Sequence, residues 1–380
     1  MIIKSKRIWI ASQFIPAAIE IHNNKIVRIH EYNSVNADID YADKRILPGF
    51  IDIHTHGAYG FDTNDANKEG LKKWLKNIVH EGVTGLLPTT ITQSHTVLSN
   101  ALKNVAEVVK EGYEGARILG IHFEGPYLDM KYKGAQPEEY IVKGSIEEFK
   151  QYQEDANGLI KIVTLAPEHD DHFELSRYLK ENGVVVSMGH SGATFEQAQM
   201  AVANGATSIT HTYNGMSPFT HRKIGLVGSA FRIKNLFCEA ICDLNHSTPE
   251  ALNVLFELKG RDKIIMISDG LMAKGFPSGS TFVFGGNEII IQEDGSAHLA
   301  KTNGLAGSTM KMNEGLRNLI EYCDVPVDAA IQSCTINPAT LLKLDDHIGK
   351  ICTSYDANIV VLEDDYSVIQ TYIEGKAQLH

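Results

Sequence analysis

By spacing alone, His54 and His56 are the residues of this chain best suited to chemistry. They close the apolar run Leu47-Pro48-Gly49-Phe50-Ile51-Asp52-Ile53, which Pro-Gly opens and Gly57 ends, the pattern of a short buried strand. Side chains two residues apart lie on one face of a strand, so the two imidazoles are expected to project together. Two neutral imidazoles aimed at one point begin a divalent-metal site. The chain has 16 histidines, so an accidental pair is the alternative. Other polar residues decide between the two.

Those residues gather where apolar strand-length runs finish. His122 and Glu124 end one run, and His190, His211, Asp243 with His246, and Asp269 end others. Each has an ordinary explanation: a salt-bridged surface carboxylate for Glu124, a turn at Asp269-Gly270, hydrogen-bonded core histidines for His190 and His211. Their shared position favours a site, because chance has no reason to choose one end of the strands. Imidazole and carboxylate donors without thiolates suit zinc, ferrous iron, manganese or cobalt.

The elements that must position these groups follow from periodicity. Between residues 48 and 344, strand candidates end near His56, Thr90, Glu124, Pro167, His190, Asn214, Asp243 and Asp269. Helix-length segments lie between them, including Lys68 to His80, Ser94 to Lys110, Phe195 to Asn204, and Pro249 to Lys259 with Thr248 as N-cap. Eight strands with intervening helices predict a (β/α)8 barrel, whose strand ends converge on one catalytic face. A doubly wound open sheet is the second architecture. Residues 281–299, with Gly285-Gly286 and Asp294-Gly295, are expected to form a β-hairpin insertion before a last helix from Met310 to Tyr322. Both termini are strand-rich, so 1–47 and 345–380 are expected to meet in a small β-sandwich domain, an α/β chain overall.

Length and charge narrow the function. The 380 residues suffice for one large core and a smaller unit. A net charge of -12 argues against nucleic acid, and no stretch approaches the ~20 apolar residues of a membrane span. The N-terminus lacks a leader pattern, so a cytoplasmic location is expected. The five scattered cysteines form no C-x-x-C pair and read as reduced thiols. Gly189-His190-Ser191-Gly192-Ala193 misplaces the serine of a hydrolase elbow, and neither a P-loop nor a dinucleotide fingerprint is present.

The chain resembles the amidohydrolase superfamily, and within it the branch of N-acetylglucosamine-6-phosphate deacetylases, over essentially its full length. The matching motifs are Pro48 to Gly57, His122-Phe123-Glu124-Gly125-Pro126, Gly189-His190-Ser191, His211-Thr212-Tyr213-Asn214-Gly215-Met216, Ser268-Asp269-Gly270 and Leu305-Ala306-Gly307-Ser308. The resemblance implies a metal-dependent deacetylase of a phosphorylated amino sugar, with one or two divalent metals per subunit, zinc or iron ahead of manganese or cobalt. Glu124, His190 and His211 match the principal metal ligands, and His54 and His56 match the pair found in members with a second metal. Lys161 lies at the start of its strand candidate, so Glu124 rather than a carboxylated lysine is expected to bridge.

Asp269 matches the general base and acid. Arg222 matches the phosphate-binding arginine, which in this family can reach a neighbouring subunit's site and so implies a homodimer. Asn214 and Gly215 match the phosphate end, His246 a substrate-binding histidine, and Leu305, Ala306 and Gly307 the acetyl pocket. Ala135 and Gln136 fall beside the substrate. Gln136 stands where many members have a histidine, and its amide can donate a hydrogen bond but carries no imidazolium charge. The same constellation would also serve N-acetylgalactosamine 6-phosphate or another amide. A scaffold that has lost catalysis is the reading from a different class, and the retained ligands speak against it.

Overall fold

The computed structural model describes residues 1–379. Eight parallel strands form its centre: Phe50–Thr55, Val83–Thr90, Ile121–Glu124, Ile160–Leu165, Val185–Met188, Ala206–Ile209, Phe237–Ile241 and Ile264–Ile267. Each pairs with its neighbour in chain order. The first and eighth meet at their ends, where the Asp269 N–H donates to His54 O at 2.9 Å and a parallel bridge joins Thr55 to Gly270. An open sheet would leave those two strands as edges, so the architecture is the expected barrel rather than the doubly wound alternative.

A helix of at least eight residues follows every barrel strand: Lys68–Asn77, His95–Glu111, Ile146–Asp155, Glu174–Glu181, Phe195–Ala203, Gly225–Arg232, Pro249–Lys259 and Met312–Glu321. Local chemistry sets their starts. Ser94, Thr194 and Thr248 each accept a backbone N–H from the first turn, and Thr194 forms a reciprocal box with Gln197. Such caps contribute about 1 kcal/mol each. Lys161 on the fourth strand is exposed and donates to Gly158 O, away from the barrel interior.

Alternation on the strands separates two apolar layers. On the seventh, Phe237 and Ile241 pack with Ile51, Ile53, Ile265 and Ile267 inside the barrel, whereas Cys238 and Ala240 join Leu252, Leu255 and Phe256 under the helices. Glu239 therefore lies on the interior face. Ala339, Leu341 and Ile348 belong to the interior cluster.

The two termini share one hydrogen-bonded sheet of eight strands. Strand Ile2–Ile10 bulges between Ser5 and Ile8, pairing with Ile39–Asp40 before the bulge and Arg45–Pro48 after it. A bulge bends its strand, and here the two arms enclose a core of Ile3, Ile8, Ile19, Ile46, Ile359 and Val361. Val360 and Leu362, on the opposite face of Ile359–Leu362, pack into the barrel's cluster. Thus the sheet is fixed to the barrel by the same strand that fills its own core.

The segment after the eighth strand differs from the expected hairpin. It is a three-stranded antiparallel meander, Thr281–Phe284, Asn287–Ile291 and Ala297–Leu299, the third strand being too short to show a periodicity. Cys352 is exposed and the other four cysteines are buried, all unpaired. Among the described residues no helix is long and apolar enough to cross a membrane.

Candidate active site

Glu124 ends the third strand, and His190, His211 and Asp269 follow the ends of the fifth, sixth and eighth. The last three adopt left-handed backbone, with φ of 46°, 28° and 47°. Such conformations cost non-glycine residues on the order of 1–3 kcal/mol and collect at functional sites. Gly215 (φ 57°) makes room for one of them: a Cβ there would lie 2.9 Å from His190 Nδ1.

The side chains converge at the barrel mouth. His190 Nε2 and His211 Nε2 lie 3.2 and 3.1 Å from Glu124 Oε1. His54 Nε2 lies 3.6 Å from the same oxygen and 3.4 Å from Asp269 Oδ1. His56 Nε2 is 3.3 Å from Glu124 Oε2 and 3.2 Å from Asp269 Oδ1. Two triads result, Glu124–His190–His211 and His54–His56–Asp269, with Glu124 between them.

This donor set fits a divalent metal. Ligands about 2.0–2.1 Å from a shared tetrahedral centre lie about 3.4 Å from one another, the spacing found here. The outer nitrogens are mostly committed: His190 Nδ1 to Tyr132 O at 2.8 Å, His211 Nδ1 to Asn214 O at 3.0 Å, His54 Nδ1 to Glu239 Oε2 at 3.0 Å. These three Nε2 atoms therefore turn inward, that of His56 also faces the carboxylates, and that of His54 is buried without a hydrogen-bond partner. A polar atom in that position is costly unless something fills its need.

Electrostatics point the same way. Burial opposes charge on Glu124, yet the imidazoles around it, His54 first, hold its carboxyl well below the usual range. Asp269 is lowered likewise by His54 and His56 against its burial. Burial also works against a charged His56, but hydrogen bonds to Asp269 and Glu124 push its pKa up to about 9. The site is thus a dense arrangement of carboxylates and imidazoles in which protons on His54 and His56 balance the anionic oxygens, a role a divalent cation would take over.

A cavity of about 150 Å³ opens onto these groups. Ala135, Gln136, Asn214, Gly215 and His246 line it, as do Leu305, Ala306 and Gly307. The last three arrive beside Asp269 because Ser308 N donates to Asp269 O at 2.8 Å. Gln136 has both ends engaged, donating to Glu124 Oε2 and accepting from Thr92 N–H, each at 2.8 Å. Asp243 holds His246 Nδ1 at 2.7 Å and, overcoming burial, raises its pKa. Arg222 is not brought together with the rest: it sits on an exposed loop outside the cavity.

Three contributors escaped the sequence reading. Phe284 of the meander lines the cavity, its ring centroid 5.2 Å from that of His56. Asp52 joins the closing strands, accepting from Ser268 Oγ at 2.6 Å and from the His54 N–H at 3.3 Å. Glu239 accepts from His54, and an acidic residue inside the otherwise apolar run 237–242 was the available signal.

The model of the Amidohydrolase family matches residues 45–377, which include every residue of the cluster. The chain belongs to the amidohydrolase family. Among similar members, N-acetylglucosamine-6-phosphate deacetylase of Bacillus subtilis (strain 168) is 42% identical over 88% of this chain and 84% of its own. N-acetylgalactosamine-6-phosphate deacetylase of Escherichia coli O157:H7 is 34% identical over 87% of each. Among solved amidohydrolase structures, an aspartate-to-alanine variant of N-acetyl-D-glucosamine-6-phosphate deacetylase from Mycobacterium smegmatis, in complex with N-acetyl-D-glucosamine-6-phosphate, superposes with a TM-score of 0.95. It is 26% identical, and the match covers 100% of this chain and 99% of that one.

Proposed function

We propose that this chain hydrolyses the acetamide of N-acetyl-D-glucosamine 6-phosphate to D-glucosamine 6-phosphate and acetate. The observation that carries the reading is Asp269, a carboxylate beside both His54 and His56 and open to the cavity. Resemblance to the B. subtilis deacetylase supports the choice of sugar. A divalent metal, zinc or iron ahead of manganese or cobalt, supplies Lewis acidity that lowers the pKa of water toward about 7. Glu124, His190 and His211 would hold one such ion, and His54 and His56 beside Glu124 would hold a second.

The chain's own groups then move the proton. Asp269 takes it from the attacking water and returns one to the sugar nitrogen, since an alkylamine must leave protonated. Leu305, Ala306 and Gly307 enclose the acetyl group, and His246, fixed by Asp243, offers Nε2 to the sugar. Gln136 is held against Glu124, so it orients that carboxylate more than it polarises the carbonyl. Asn214 and Gly215 lie at the phosphate end, and Arg222 reaches the phosphate in a partner's site, making a homodimer the active form.

One relative favours a second substrate, the galactosamine epimer, at lower identity. Acetate release from both epimers and from unphosphorylated N-acetylglucosamine, with protein of known metal content, tests the reading. The glucosamine phosphate should have the highest kcat/KM; a higher value for the galactosamine phosphate would reassign the substrate, and no acetate from any would overturn the function.

A further inference from the structure

Glu239 is fully buried inside the barrel, in the middle of the seventh strand. Its Oε2 accepts from His54 Nδ1 at 3.0 Å and from the His211 backbone N–H at 3.2 Å, while Oε1 has no hydrogen-bond partner. Lysine and arginine make no ion pair with it. An apolar residue of similar volume would stabilise the interior at least as well, because burying a carboxylate is costly and half of this one is unrewarded. Its presence there therefore calls for a role in the site.

His122 is the other group near this pair, and His54, His122 and Glu239 lie close enough to suggest a separate ion site. That reading fails on His122, whose Nδ1 is taken by Ile53 O at 2.9 Å and Nε2 by Thr164 Oγ1 at 2.7 Å. Two contacts of Glu239 remain, and both lead to the centre at the barrel mouth.

We propose that Glu239 is the positioning residue that makes the second metal half of this site competent. It does so by committing His54 Nδ1–H, so that Nε2 is the nitrogen offered to the ion. A carboxylate oxygen is an acceptor, and the bond to it fixes both tautomer and ring plane. Backbone carbonyls hold the Nδ1 atoms of His190 and His211, and Glu239 meets His211 only at its backbone N–H, not at its ring. His56 Nδ1 has no partner, which leaves His54 as the ordered member of its pair.

The inference rests on the two-metal reading above, and metal stoichiometry separates the two. Metal per chain and chelator-competition affinities are measured on wild type, Glu239→Gln and Glu239→Ala. Wild type should hold two ions. Glu239→Gln keeps an acceptor of the same size and should weaken one ion about 10–100-fold, leaving the other unchanged; Glu239→Ala should lose that ion altogether. If the alanine variant does not fold, the isosteric glutamine variant carries the test. Glu239→Gln in a His54→Ala background should change neither count nor affinity further. Unchanged affinities in Glu239→Gln, or an equal fall at both ions, would overturn the role. A wild type that holds one ion under saturating metal would overturn the two-metal reading itself, and Glu239 with it.

Discussion

The two halves of the centre are built by different means. In the Glu124–His190–His211 half, both histidines stand in left-handed turns just past their strands, with Nδ1 held by the carbonyls of Tyr132 and Asn214. In the His54–His56 half, His54 lies within its strand and is held by a buried side-chain carboxylate, while His56 has no Nδ1 partner. Backbone carbonyls come with the fold, whereas Glu239 is a single replaceable residue. The first half is therefore intrinsic to the barrel mouth, and the second depends on a few side chains.

The largest effect that would sharpen this division falls on Asp269, the carboxylate beside His54 and His56. Asp269→Asn should lower kcat about 10²–10⁴-fold, the range for general acid–base groups, with metal content near normal. Activity near wild type would remove Asp269 from the proton path, and loss of metal would make it a ligand instead.

Arg222 tests the opposite extreme, an exposed residue outside the cavity. Arg222→Ala should lower kcat/KM for the phosphorylated sugar about 10- to 100-fold, the worth of charge-assisted hydrogen bonds, and spare the unphosphorylated one. Equal losses on both sugars would contradict phosphate binding.

The smallest effects are in stability of the metal-free protein, where neighbours of His54 titrate in opposite directions. Burial and the nearby His54 lower His122 to about 4, so its contribution is complete above pH 6.5 and is lost as pH falls through 6.5 toward 4. His56 is raised to about 9 despite burial, so its contribution is present below pH 6.5 and is lost as pH rises toward 9. Each slope is up to about 1.4 kcal/mol per pH unit. Urea unfolding of wild type and single variants across pH 4–9 isolates each contribution as a pH slope below and above 6.5. His122→Gln should flatten the acid limb and His56→Gln the alkaline one; limbs that survive these changes would show that other groups set them.

Much of this was legible in the sequence because strand ends carry their own signals. Helix Pro249–Lys259 starts at Thr248 as its cap chemistry indicates, and His190, His211 and Asp269 stand directly after apolar runs. What escaped was nonlocal. Glu239 reads as one acidic residue in an apolar segment until the fold brings it to His54, 185 positions away. Asp52 meets Ser268 across 216 positions, where the barrel closes. The Gln136 amide was legible as a donor, but its commitment to Glu124 and Thr92 was not. Strand Ala297–Leu299 has three residues, below the length at which alternation can be seen.

The division between the halves is tested most directly by metal per chain in a His54→Ala/His56→Ala double variant. A fall from two ions to one tightly bound ion on Glu124, His190 and His211 is expected, with substantial deacetylation remaining. Loss of all metal, or retention of both ions, would contradict it.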